Sequence, residues 1–128
     1  MDELEEIRKR KLKEMEEKMK YPGKPINLQD GNFDETVKKY PLILVDFWSE
    51  WCPPCRIVGP VIEDLARELQ GKVVFGKLDV GSNQSIALKF GITAIPTLLI
   101  FKEGKVAESI TGAVPKEQIL DKLMKYIE

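Results

Sequence analysis

The sequence predicts an α/β fold: a central mixed sheet flanked by helices and preceded by an N-terminal amphipathic helix. Three features of the 128-residue chain carry this expectation. The run Leu42-Ile43-Leu44-Val45-Asp46-Phe47-Trp48 is apolar at nearly every position, as a strand buried on both faces should be. Apolar residues recur at helical spacing from Pro53 to Leu69 and again after Pro115. Thr97 to Lys102 and Lys105 to Thr111 are strand patterns separated only by Glu103-Gly104, the spacing of a two-residue hairpin.

Residues 2 to 20 hold seven acidic and seven basic side chains, with Leu4, Ile7, Leu12, Met15 and Met19 inside one helical arc. Glu5 with Lys9, Glu6 with Arg10, Glu14 with Lys18 and Glu16 with Lys20 are acid-before-base pairs four apart, a spacing that supports a helix but defines no site. Tyr21-Pro22-Gly23-Lys24-Pro25 stops that helix. The chain therefore divides into a charged helical extension over 1–21, a linker over 22–25 and a domain over 26–128. In the domain, Ile26 to Gln29 reads as a short edge strand, and Phe33 to Lys39 as a helix with Asp30 or Asn32 as its cap. After the central strand, the helix from Pro53 presents Val58, Val61, Ile62, Leu65 and Leu69, is kinked by Pro60 and ends at Gly71. Val73 to Leu78 is a strand, Ser82 to Lys89 a helix and Gly91 to Pro96 a loop that leads into the hairpin. The last helix starts at Pro115 and lays Ile119, Leu120, Leu123, Met124 and Ile127 on one face.

Twenty basic against 21 acidic residues leave a net charge of -1, so no overall field draws the chain to nucleic acid or to an anionic membrane. No apolar run reaches the roughly 18 residues of a membrane span, and the charged first twenty residues are unlike a signal peptide. A soluble cytoplasmic protein is expected.

Cys52 and Cys55 are the only cysteines, and the chain has no histidine. A multi-bridge secreted scaffold and a Cys/His zinc site within one chain are thereby excluded. Three apart on the first turn of a helix, the two sulfurs can bridge, because one turn fits the usual Cα separation of about 4.4–6.8 Å. The ring they close is too small to remove much chain entropy, so the bridge serves better as a reversible bond than as a staple. Cys52, at the helix start, is the expected nucleophile, favoured as thiolate by free N–H groups and the helix dipole. Cys55, one turn in and expected to be more buried, is the resolving thiol. A structural bridge, two idle thiols or a metal shared between chains are the plainer alternatives.

Asp46 lies six residues before Cys52, in the middle of the apolar strand. A buried acid is costly unless paired, and desolvation should raise its pKa. Beneath Cys55 it could accept that thiol's proton, directly or through a water. A hydrogen-bonded or partly exposed strand aspartate is the alternative.

Val45-Asp46-Phe47-Trp48, Trp51-Cys52-x-Pro54-Cys55, Lys77, Gly91-Ile92-x-x-Ile95-Pro96-Thr97, Gly104 and Gly112 together resemble the thioredoxin family over about residues 26 to 128. The resemblance implies a thioredoxin-like fold and a protein-disulfide reductant with no bound cofactor, its Cys52–Cys55 disulfide recharged by a thioredoxin-reductase-like enzyme, NADPH-linked or otherwise. It implies that Cys52 attacks, Cys55 resolves and Asp46 accepts a proton with Lys77 as its partner. It also implies a cis Ile95-Pro96 peptide that faces Cys52 and offers Ile95 backbone groups to a substrate strand. Trp51, Gly91, Ile92, Gly112 and Ala113 would form the surrounding docking surface, and Trp48 would pack beneath the site. On the residues alone, Pro96 is only a strand-start proline.

Two departures from the family pattern stand out. Pro53 replaces the usual glycine, so Pro53 and Pro54 both lack donors and the Cys52 thiolate must rely on the Cys55 and Arg56 amides. This leaves a disulfide-forming or isomerising relative as an alternative to a reductase. The second departure is the N-terminal helix, which is either a solvated arm, a helix resting on its own domain, or a docking element for an oligomer or partner through residues 1–20. In the last case the chain could be a non-enzymatic adaptor.

Overall fold

The computed structural model describes residues 2–127, apart from the side chain of Lys18. Ten elements follow in the expected order: α1 (Glu3–Met19), β1 (Ile26–Leu28), α2 (Phe33–Lys39), β2 (Leu42–Trp48), α3 (Pro53–Glu68), β3 (Val74–Asp79), α4 (Gln84–Lys89), β4 (Thr97–Lys102), β5 (Lys105–Thr111) and α5 (Lys116–Met124). The sheet runs β1-β3-β2-β4-β5. β1, β3 and β2 are parallel, whereas β4 and β5 are antiparallel to their neighbours.

Strand parity sorts the core into two layers, because successive side chains on a strand point to opposite faces. Leu42 and Leu44 of β2 and Phe75 of β3 join Val58, Ile62 and Leu65 of α3 and Ile119 and Leu123 of α5. Ile43, Val45 and Phe47 join Phe33 and Val37 of α2 and Ile86 of α4 on the other face. Leu42 to Phe47 are all buried, so the apolar run identifies the strand that has helices on both sides. By the same parity Asp46 belongs to the face covered by α3.

β1 and β2 flank β3 at Gly76, which pairs with Ile26 on one side and Val45 on the other. A methyl group there would come within 2.5 Å of Leu28 Cδ1, so glycine lets Leu28 fold over the strand. In the β4–β5 turn, Glu103 and Gly104 both take positive φ, 50° and 80°, as a type I′ hairpin turn requires. Pro60 sits inside α3 without ending it, although it offers no N–H to the Arg56 carbonyl one turn back.

Of the two caps expected for α2, Asn32 takes the N-cap position but makes no side-chain cap bond; its Oδ1 accepts instead from the Gln29 N–H at 2.7 Å, which closes the tight turn after β1. Asp30 reaches across the fold and accepts from the Ile86 N–H of α4 at 3.1 Å, while Asn83 Oδ1 accepts from the Asp30 N–H at 3.0 Å. A cap from a residue more than fifty positions away leaves no signature in local spacing.

Tyr21 anchors the linker, its ring edge-on to Tyr40 with centroids 5.5 Å apart and its carbonyl accepting from Gln70 Nε2 at 2.9 Å. Beyond it, Leu4, Leu12, Met15 and Met19 of α1 are exposed. The helix forms as its periodicity predicts, yet these apolar side chains are not buried on the domain. The expected Glu14–Lys18 pair falls on a side chain outside the described residues.

Candidate active site

β2 ends at Trp48, and Ser49, Glu50 and Trp51 carry the chain to Cys52, the N-cap of α3. Cys52 and Cys55 form a disulfide with their Cα atoms 5.3 Å apart. The Cys55 N–H donates to the Cys52 sulfur at 3.3 Å and to the Cys52 carbonyl at 3.1 Å. Pro53 and Pro54 fill the first two helical positions without a donor, so Cys55 is the first residue of the turn able to cap, and the acceptor is sulfur. The same N–H would stabilise a Cys52 thiolate in the dithiol state. Arg56 acts through its side chain, donating from Nη2 to the Glu50 carbonyl at 3.0 Å and tying the first turn to the preceding loop.

The expected difference in burial between the two sulfurs is small, Cys52 being 6% and Cys55 4% exposed. What separates them is direction. The Cys52 sulfur lies 3.8 Å from the Ile95 carbonyl oxygen, across from the loop that precedes β4. Cys55, and not Cys52, lines a cleft of about 380 Å³ with Trp48, Ser49, Gly59, Glu63 and Lys77.

The Ile95-Pro96 peptide is cis, as the resemblance implied. Its loop is held from both ends: Thr97 Oγ1 donates to the Ala94 carbonyl at 2.5 Å, and the Gly112 N–H donates to the Pro96 carbonyl at 2.8 Å. Gly112 has φ 93°, a left-handed conformation that suits glycine and lets β5 turn toward the loop. Gly91 and Ile92 are fixed to the end of α4 by N–H bonds to Leu88 and Ala87. Trp51 stands 71% exposed beside the disulfide, its ring over Gly81. Ala113 and Gly91 are exposed, while Ile92 and Ile95 are half-buried.

Asp46 is fully buried, and neither carboxylate oxygen has a hydrogen-bond partner among the described residues. Burial pushes its pKa up to about 7, against a smaller lowering by the charge of Lys77. Asp46 pairs in register with Lys77 on β3 and with Leu98 on β4. The Lys77 ammonium stands 4.6 Å over the Trp48 ring, so it acts on Asp46 through its field rather than through a hydrogen bond.

Thr97, which the sequence offered only as part of the family motif, braces the cis loop, and Ser49, which the sequence reading did not single out, is 1% exposed, lines the cleft and has a hydroxyl without a hydrogen-bond partner among the described residues. A polar residue just past a fully buried strand was the available signal for Ser49.

Comparison with known proteins agrees with this geometry. Residues 24–125 match the thioredoxin family model. A thioredoxin of Chlorobaculum thiosulfatiphilum is 45% identical over 106 residues, which cover 82% of this chain and 98% of the relative. The chloroplastic M-type thioredoxin of Pisum sativum is 44% identical over 102 residues, covering 78% of this chain and 59% of its own. Among solved structures, a mutant thioredoxin from Halobacterium salinarum superposes with a TM-score of 0.79 at 30% identity, over 84% of this chain and 95% of that one.

Proposed function

Because the chain belongs to the thioredoxin family, with a redox-active Cys52–Cys55 disulfide, we propose that it reduces protein disulfides by two successive exchanges in which Cys52 attacks and Cys55 resolves. The observation that carries this assignment of roles is the position of the Cys52 sulfur, at the α3 N-cap and 3.8 Å from the Ile95 carbonyl. A substrate strand laid along the Ile95 backbone would bring its disulfide to Cys52.

In the dithiol state the Cys52 thiolate attacks one substrate sulfur, and the other leaves as a thiolate. Asp46 then takes the proton of Cys55, whose thiolate attacks the Cys52 sulfur and releases the second substrate sulfur. Two electrons pass to the substrate, and the Cys52–Cys55 bond is formed. A carboxyl group with a pKa of about 7 suits this duty, since it can accept and return a proton near neutral pH. Lys77 tempers the acid by its charge. Pro53 and Pro54 shape the first turn, while Trp51, Gly91, Ile92, Ile95, Pro96, Gly112 and Ala113 make up the docking surface.

Membership of the family implies disulfide-bearing substrates and a reductase that restores the dithiol. The finer reading is a NADPH-linked, thioredoxin-reductase-like partner in the cytoplasm, where such systems keep thiols reduced. No helix among the described residues is long and apolar enough to cross a membrane. Residues 26–128 are the working domain in this reading, and 1–21 with the 22–25 linker are an appendage. Removal of residues 1–20 is therefore expected to leave the unfolding midpoint and insulin reduction nearly unchanged, because Leu4, Leu12, Met15 and Met19 are exposed and the anchoring Tyr21 is retained. Loss of activity or a large drop in thermal midpoint would show that the arm belongs to the domain.

The test of the reading is redox equilibrium with glutathione, together with insulin reduction driven by dithiothreitol. A protein-disulfide reductase should hold its disulfide in a mostly reduced glutathione buffer and should precipitate insulin catalytically. A pair that stays dithiol in excess oxidised glutathione would instead mark a disulfide-forming relative.

A further inference from the structure

Three side-chain oxygens in this protein are buried without a hydrogen-bond partner among the described residues: both of Asp46 and the hydroxyl of Ser49. Buried polar atoms are nearly always satisfied, by protein or by ordered water. Ser49 lines the 380 Å³ cleft together with Cys55 and Lys77, and Asp46 pairs in register with Lys77 on the same face of the sheet. The cleft is wide enough to hold water, and its polar groups could bind it. Ser49 lies only three residues beyond Asp46, just past the end of β2, and lines the cleft together with Cys55 of the first turn of α3.

We propose that Ser49 is a positioning residue for the resolving step, its hydroxyl orienting the water that relays the Cys55 proton to Asp46. The proposal rests on Asp46 being the acceptor. The Cys55 S–H bond breaks as the water takes that proton and gives one of its own to the carboxylate. The Ser49 hydroxyl, a donor and an acceptor, gains and loses nothing; it fixes where the water sits. The resulting Cys55 thiolate then attacks Cys52, and the substrate sulfur carries away the electron pair of the broken mixed disulfide.

The charged and titratable groups about this relay are few. Lys77 faces it from β3; Arg56 and Glu63 from α3 and Glu50 from the preceding loop line the same cleft, and β4 contributes only apolar Leu98 opposite Asp46. The hydroxyl stabilises the ionised carboxylate through the shared water, so its loss should raise the Asp46 pKa by about half a unit or more.

The experiment is stopped-flow measurement of the resolving step from pH 5.5 to 9 in the full chain, as release of a preformed mixed disulfide on Cys52. Wild type, Ser49→Ala, Asp46→Asn and the double variant are compared, with the Asp46 carboxyl followed by NMR. Ser49→Ala is expected to slow resolution about three- to tenfold near pH 7 and to move its pH profile upward, with little further loss when added to Asp46→Asn. A purely packing role would shift the unfolding midpoint and leave the profile in place, which would overturn the proposal. So would full additivity of the two substitutions. If Asp46→Asn itself resolves at the wild-type rate, the acceptor assignment falls and the Ser49 relay falls with it. If only Ser49→Ala is silent, the relay falls and the acceptor stands.

Discussion

Replacing Cys52 by serine is expected to lower catalytic insulin reduction by on the order of a thousandfold or more, because no other group near Ile95 can form the first mixed disulfide. Cys55→Ser should lose turnover to a similar degree but in a different way. Its Cys52 still attacks, and with no resolving thiol the substrate stays attached. Incubation with an oxidised substrate should then give a one-to-one covalent adduct, seen as a mass increase that dithiothreitol reverses. The two sulfurs differ little in burial, so the adduct depends on their placement: Cys52 toward the Ile95 carbonyl, Cys55 toward the inner cleft. An adduct formed by Cys52→Ser and not by Cys55→Ser would reverse the assigned roles. Turnover retained in both would remove the disulfide from the chemistry, whereas a wild-type chain that reduced no insulin would leave an adaptor.

The second large effect concerns stability. The pKa of Asp46 stands at about 7 in the folded chain, against 3.8 for the free side chain. Between those values the native state keeps a proton that the unfolded state has released. Stability from this group is thus fully present below pH 4 and is lost as pH rises to about 7, after which it stays level. A difference of about three units corresponds to about 4 kcal/mol. Asp46→Asn is never charged, so it is expected to exceed wild type by about 2–4 kcal/mol at pH 8, less whatever an unpaired amide costs in the same place. At pH 4 the two should be nearly equal. Urea unfolding of both proteins at the two pH values checks this, and a variant that is no more stable at pH 8 would show that Asp46 is not held at a strained charge. Resolution in the same variant should slow by about tenfold or more, linking the stability cost to the proton-accepting role. The acid is then kept at a cost to the fold, as functional groups often are.

Most of the element order was legible because it rests on local spacing. The nearly all-apolar 42–48 run, the 3.6-residue period of α3 and α5 and the two-residue gap at Glu103-Gly104 each specify their own conformation. The cysteine spacing was equally local. The failures were long-range. Asp30 looked like a cap for the next helix and caps α4 instead, since the loop after β1 lies against the start of that helix. Cys55 is the more buried thiol, as expected, but only slightly, because the loop before β4 lies against Cys52. The stripe on α1 is a true helical stripe, and no periodicity could say that Leu4, Leu12, Met15 and Met19 would be left exposed.

The sequence by itself determined the chemistry: two thiols one helical turn apart, an acid within a buried strand, and the family to which their company belongs. Each depends on residue identity and short spacing, where covalent geometry leaves few choices. Tertiary structure decided how those groups meet. Strand register set Asp46 beside Lys77, the bond from Gly112 to Pro96 tied the end of β5 to the loop opposite Cys52, and packing left Ser49 buried and beside the cleft. Register and burial arise from contacts between segments far apart in the chain, so the environment that raises the acid's pKa exists only once the layers have packed.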